Sequence, residues 1–154
     1  MERKFKTLSA IARVKGENAF PELHGTVSFR QTPSGVIVTA RIFGLPADAA
    51  YGSGIFAFHI HEGETCEGNG KTPFPGSGGH YNPRGVPHPY HAGDLPPLFA
   101  CNGYAYMSFL TDRFTVNEVV GKVVIIHSKP DDFKTQPSGD SGEKIACGKI
   151  ARGF

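Results

Sequence analysis

The chain has 154 residues, a formal net charge of +2, 20 Gly, 12 Pro and no Trp. That length suits a single domain over 1–154, able to bury roughly two-thirds of its unfolded surface. So small a net charge, with no basic stripe, argues against a nucleic-acid partner, and no apolar run approaches the about 18 residues of a membrane span.

Gly and Pro spread between short apolar runs predict an all-β fold with many turns. The first residues are charged, and the LSAIARV that follows is too short and too charged for the apolar region of a secretory leader. The expectation is therefore a cytoplasmic protein, or an exported one if the chain is already trimmed. TLSAIARVK at 7–15 alternates well enough for a first strand, and HGTVSFR at 24–30 alternates again. QTPSG then supplies hairpin-loop chemistry before a β-branched strand at 36–43 that stops at Gly44-Leu45-Pro46. These three runs read as a meander. A fourth strand is expected at 55–61, followed by a stretch from 62 to 97 with almost no regular pattern, a length unusual unless the loop has a task. Short strands follow at 98–100 and 103–110, then a polar connection at 115–121. The most apolar strand lies at 122–127, a second irregular loop at 128–143, and a closing strand at 145–150. Eight strands with two long loops fit a Greek-key barrel or sandwich.

The chemistry concentrates in the first loop and the strand before it. In Phe58-His59-Ile60-His61 the side chains of residues i and i+2 share a face, so two imidazoles point one way while Phe58 and Ile60 point the other. GGHYNPRGVPHPYHAGDLP then offers His80, His88, His91 and Asp94 on a segment too rich in Gly and Pro for helix or strand. Imidazoles with one carboxylate suit zinc or copper, whereas calcium or magnesium asks mostly for oxygen donors. His24, isolated before Gly25, reads as a surface or turn histidine. Cys66, Cys101 and Cys147 allow three single bridges, each leaving one thiol over, and arithmetic does not choose among them. Cys101 follows an apolar run and reads as buried filler. Tyr104, Tyr106 and Phe109 read as core packing, or as a homodimer contact if their face is exposed.

In order along the chain, FHIHEGETC, GGHYNPRG, HAGDLP, VVIIHSKPDD and GEKIACG resemble the copper/zinc superoxide dismutase family, bacterial type included, over nearly the whole length. The resemblance implies a Greek-key β-barrel and an oxidoreductase that converts superoxide to O2 and H2O2. It implies copper ligands His59, His61, His80 and His127, zinc ligands His80, His88, His91 and Asp94, and His80 as the bridge between the ions. Copper would do the redox work and zinc the positioning. It implies a Cys66–Cys147 disulfide, with Cys101 left free, and Asp131 as the carboxylate joining the outer nitrogens of a copper ligand and a zinc ligand. His80 would deliver a proton, and Lys144, helped by Lys134, would steer the anion.

Two departures stand out. Only Pro89 and Tyr90 separate His88 from His91, where the family spaces these ligands more widely. Lys144 stands where the family commonly has an arginine, which keeps the charge and loses the planar fork. They motivate an alternative, a dismutase-like metal-binding or structural module with little turnover, and beside it a copper-only dismutase.

Overall fold

The computed structural model describes residues 7–47, 54–67 and 72–153. Strands β1 (Ser9–Gly16), β2 (His24–Thr32) and β3 (Gly35–Phe43) form the expected antiparallel meander. Their alternation sends Ala12, Val14, Val27, Phe29, Val38 and Ile42 into the core. The later strands are β4 (Ile55–Phe56), β5 (Phe58–His61), β6 (Leu98–Phe99), β7 (Ala105–Thr111), β8 (Val123–His127) and β9 (Lys144–Arg152). Seven of them make one curled antiparallel sheet in the order β5-β8-β9-β1-β2-β3-β7, and β4 pairs with β6 in a small ribbon. The crossovers that bring β9 beside β1 and β7 beside β3 give the Greek-key character anticipated from the strand spacing. No helix among the described residues is long and apolar enough to cross a membrane.

Three local expectations change. The single strand at 55–61 is two strands, because the chain switches partners at Ala57: β4 pairs with β6, while β5 pairs with β8. Ala57 donates its N–H to the Lys129 carbonyl at 2.8 Å and accepts from the His127 N–H at 2.9 Å. The strand count among the described residues is accordingly nine. The polar connection at 115–121 contains a short helix, α1 (Val116–Val119), started by a reciprocal capping box between Thr115 and Glu118. Cys101 is exposed rather than buried, because it opens a tight turn to Tyr104 in which Asn102 and Gly103 take left-handed φ values of 49° and 78°. On β7, Ala105 is buried and Phe109 packs against the core, whereas Tyr106, and Tyr104 just before the strand, are exposed. His24 is exposed as expected, with Nδ1 2.9 Å from the Glu22 carbonyl.

Both faces of β8 are covered. Val124 and Ile126 face the barrel core, while Val123 and Ile125 join Cys147 in a second apolar cluster on the outside, under Cys66 and Phe74. That two-sided burial explains the unbroken run VVII. Between β8 and β9 the register slips: Ile126 pairs with Ala146, but His127 pairs with Lys144, leaving Ile145 as the extra residue of a bulge. Ile145 and Ala146 therefore both enter the core. The slip moves Lys144 to the outer face that also carries Cys147.

Cys66 and Cys147 are disulfide-bonded, with Cα atoms 5.7 Å apart and a sequence separation of 81. The bond ties the loop after β5 to β9. Replacing both cysteines by serine is expected to lower the unfolding free energy of the metal-free protein by up to about 4.5 kcal/mol, from the lost loop constraint. Urea denaturation measures this, and an unchanged midpoint would show that the bridge only shapes the loop.

Candidate metal centre

The face of β5 opposite the core carries His59 and His61, and neither is open to solvent: both are almost fully buried. What covers them is the long loop that the sequence leaves without a pattern. It docks on the free edge of β5 through backbone bonds, Glu62 N–H to Gly79 O, Tyr81 N–H to Ile60 O and Ile60 N–H to Gly93 O, each 2.8 Å. The docking sets His80 opposite His61 and Asp94 opposite His59 in isolated β-bridges. Gly93 is required for this approach, since a Cβ there would lie 2.2 Å from the Ile60 carbonyl oxygen. An irregular ligand loop is thus held by strand-edge hydrogen bonding.

Two groups of four result. His59, His61, His80 and His127 place one candidate ligand atom each within 4.8 Å of one another, and so do His80, His88, His91 and Asp94. His80 belongs to both. Its ring centroid lies 4.0 Å from that of His59 and 5.3 Å from that of His91. The Nδ1 of His80 is 2.8 Å from Asp94 Oδ1 and 3.3 Å from His91 Nδ1, while its Nε2 is buried with no partner.

Hydrogen bonds on the far side of three other rings, His59, His61 and His88, assign which nitrogen is left for a ligand. His61 uses Nδ1 on the Gly78 carbonyl at 2.8 Å, freeing Nε2, which sits 3.2 Å from His127 Nε2. His59 donates Nε2–H to Asp131 Oδ2 and His88 donates Nε2–H to Asp131 Oδ1, each at 2.8 Å. Their Nδ1 atoms are left buried without a hydrogen-bond partner. His88 Nδ1 lies 3.0 Å from Asp94 Oδ2, but not in hydrogen-bonding geometry. Buried unpaired nitrogens facing one another are costly unless a cation takes them up, so the donor set fits two metal ions.

Electrostatics agree with neutral rings. Burial first, opposed by the bond to Asp131, lowers the His59 pKa from 6.5 to about 4. Burial, with the neighbouring histidines, holds His61 and His127 well below the ordinary histidine value. For Asp131 burial alone would raise the pKa, but the bonds from His59, His88 and the Phe133 N–H outweigh it and bring it down to about 2. One carboxylate therefore orients a ring in each group. Asp132 beside it is an exposed turn residue, accepting from the Lys134 and Thr135 N–H groups.

A cleft of about 520 Å³ opens onto His61, His80 and His127, with Pro137, Gly142 and Lys144 on its wall. Lys144 Nζ donates to Ser77 Oγ at 2.7 Å and to the Gly78 carbonyl at 3.3 Å. Burial lowers its pKa. Lys134 is exposed on the adjoining loop.

Sequence reasoning passed over several residues that shape this centre. Ser77, fully buried, anchors Lys144. Gly139, at φ 75°, lies so close to the carboxylate that a Cβ would stand 2.0 Å from Asp131 Oδ1 and 2.7 Å from His88 Nε2. Arg113 and Gln136 hold the backbone of the second ligand group. None carries a local signal, because a glycine in a loop or a lone arginine gains its meaning only from what folds against it.

A curled Greek-key sheet with two abutting four-residue donor groups sharing one imidazole defines a two-metal β-barrel protein. The chain belongs to the copper/zinc superoxide dismutase family: residues 23–150 match the model of copper/zinc superoxide dismutase. It is similar to a Cu-Zn superoxide dismutase of Aquifex aeolicus, 34% identical over 149 residues, covering 86% of this chain and 82% of the relative. It is 35% identical over 140 residues to that of Photobacterium leiognathi, covering 82% and 78%. The crystal structure of a SOD-like protein from Bacillus subtilis superposes with a TM-score of 0.71 at 25% identity, covering 90% of this chain and 95% of that one. Copper and zinc are the cofactors of the family, and the two donor groups suit them.

Two outcomes are expected. The metal-free folded chain keeps His59 neutral down to about pH 4, whereas the unfolded chain protonates it below 6.5. The stability this group contributes is complete above pH 6.5 and drains away as pH falls toward about 4. His61 and His127 act in the same direction. A further loss, from Asp131, begins below its ordinary value of 3.8 and runs down through about 2. Urea midpoints of metal-free protein across this range test the sign, and a midpoint that rises on acidification would contradict it. Gly139→Ala, which forces its methyl against Asp131, is expected to weaken metal binding at both groups by roughly tenfold or more. Equilibrium dialysis against both metals checks it.

Proposed function

We propose that this chain is a superoxide dismutase that binds copper at His59, His61, His80 and His127 and zinc at His80, His88, His91 and Asp94. The observation that carries the reading is the buried His80 ring, common to both groups, whose Nδ1 faces Asp94 and His91 while its Nε2 is left unpaired. Four imidazoles suit a copper ion that alternates between two oxidation states, and the three imidazoles with one carboxylate suit a tetrahedral zinc. Copper, when bound, supplies one-electron exchange with superoxide, so that one anion is oxidised to O2 and a second is reduced to H2O2.

The residues of the chain supply the rest. The Lys144 ammonium, tied to Ser77 and the Gly78 carbonyl, stands at the cleft wall and draws an anion toward His61 and His127. Focused positive potential of this kind raises on-rates by roughly ten- to a thousandfold, and this enzyme class is a standard illustration of it. The Gly78 carbonyl also accepts from His61 Nδ1, so one oxygen fixes both the ligand tautomer and the lysine. His80 lines the cleft, and its buried, unpaired Nε2 would hold a proton for the reduced product. Asp131 keeps His59 and His88 in the required tautomers from outside. The lysine that stands in place of arginine has a hydroxyl partner in Ser77. The short link between His88 and His91 still lets both rings converge with Asp94. A module without turnover would leave the complete first group and its lysine-lined cleft without a use. The reading treats 1–154 as one domain and needs neither nucleic acid nor membrane. It includes self-association through the exposed Tyr104 and Tyr106 face, which sedimentation velocity of the unaltered chain and of Tyr106→Glu decides.

Protein loaded with both metals is expected to remove superoxide at a rate that falls as salt rises. Activity no greater than that of free copper in chelator would end the proposal. His127→Ala is expected to abolish turnover while one zinc per chain is retained, measured by elemental analysis. Lys144→Gln is expected to lower kcat/KM about tenfold and to flatten the salt dependence.

A further inference from the structure

Three of the four ligands in the second group, His88, His91 and Asp94, come from one seven-residue stretch that forms no strand or helix. It has one internal backbone bond, Asp94 N–H to His91 O, and one to the residue before it, Tyr90 N–H to Pro87 O. The carbonyls of His88, Pro89 and Asp94 need partners from elsewhere. Two side chains distant in sequence provide them. Gln136 accepts from the His88 N–H at 2.9 Å through Oε1 and donates to the His88 carbonyl at 2.8 Å through Nε2, copying a strand partner. Arg113, two residues past the end of β7, directs Nη1 to the carbonyls of Pro89 at 3.1 Å and of His91 and Asp94 at 3.3 Å each. Every ligand residue of the stretch is gripped through its main chain, and His88 is also gripped through its ring by Asp131, five residues before Gln136.

We propose that Arg113 and Gln136 are positioning residues for zinc: they hold the short ligand stretch in its binding geometry before the metal arrives, in place of the longer loop that the spacing of His88 and His91 has removed. The physical basis is preorganisation. A stretch ordered by its own fold loses little freedom when the ion binds, whereas a loose one must be ordered at that step and binds more weakly. Both side chains reach the backbone of the stretch and leave its ligand atoms free for the ion. Outer contacts of this kind typically alter metal affinity by about 10- to 100-fold.

The inference rests on the zinc assignment above, and the experiment separates the two. Zinc dissociation constants are measured by competition with a chromophoric chelator for the unaltered chain, Gln136→Ala, Arg113→Met and Arg113→Lys. The visible absorption of cobalt(II) at the same site reports its geometry, and copper affinity at the first group serves as control. Gln136 is exposed, so its truncation leaves the core untouched should the Arg113 variants fail to fold. The expected result is zinc affinity reduced about tenfold or more in Gln136→Ala and Arg113→Met. Arg113→Lys should lose less, and both weakened variants should show an altered cobalt band and unchanged copper affinity. Zinc affinity within twofold of the unaltered chain in Gln136→Ala and Arg113→Met overturns the inference. So does an equal fall in copper and zinc affinity, which would mark general loosening. If the unaltered chain takes up no zinc, the assignment itself fails and the inference with it.

Discussion

A single buried carboxylate ties the centre together. Asp131 places one oxygen on His59, which belongs to the first donor group, and the other on His88, which belongs to the second, each at 2.8 Å. Burying a carboxylate is costly unless hydrogen bonds satisfy it, and here two ring N–H groups and the Phe133 amide do so. The same bonds decide which nitrogen each ring turns inward. Remove that carboxylate and both rings lose their orientation, so the loop at 128–143 is as much a part of the candidate metal centre as the strand that carries His59. Gly139 shows how tight the fit is, because no side chain can stand where it meets Asp131.

The rest of the centre depends on sheet edges put to a second use. One edge of β5 pairs with β8, and the other pairs with the ligand loop through the bonds to Gly79, Tyr81 and Gly93. Backbone hydrogen bonding fixes a loop as firmly as a strand while leaving its side chains free to converge. The free edge that would otherwise invite association is thereby covered. The disulfide adds a third attachment, from the start of the same loop to β9. Arg113 and Gln136 hold the far end, where the ligand spacing is shortest.

Charge placement follows from a one-residue irregularity. Without the bulge at Ile145, Lys144 would share a face with Ala146 and point into the apolar core. With it, the ammonium reaches the cleft and finds Ser77 and Gly78, on the same segment that turns His61. An arginine could grip two carbonyl oxygens with its fork. The lysine relies on a hydroxyl and one carbonyl instead.

Much of this was legible in the chain as written. The period-two alternation of β1 to β3, the paired histidines of FHIH and the Gly- and Pro-rich ligand loop follow from local rules, so the sequence alone determined an all-β fold, the donor types and the metals they suit. The Cys66–Cys147 pairing and the part played by Asp131 came only through resemblance to a family, because no spacing rule connects residues so far apart. The break at Ala57, the exposure of Cys101, the bulge that turns Lys144 outward and the grip of Arg113, Gln136, Ser77 and Gly139 were decided by tertiary structure. Each depends on which distant backbone or side chain arrives alongside, and local pattern holds no record of that meeting.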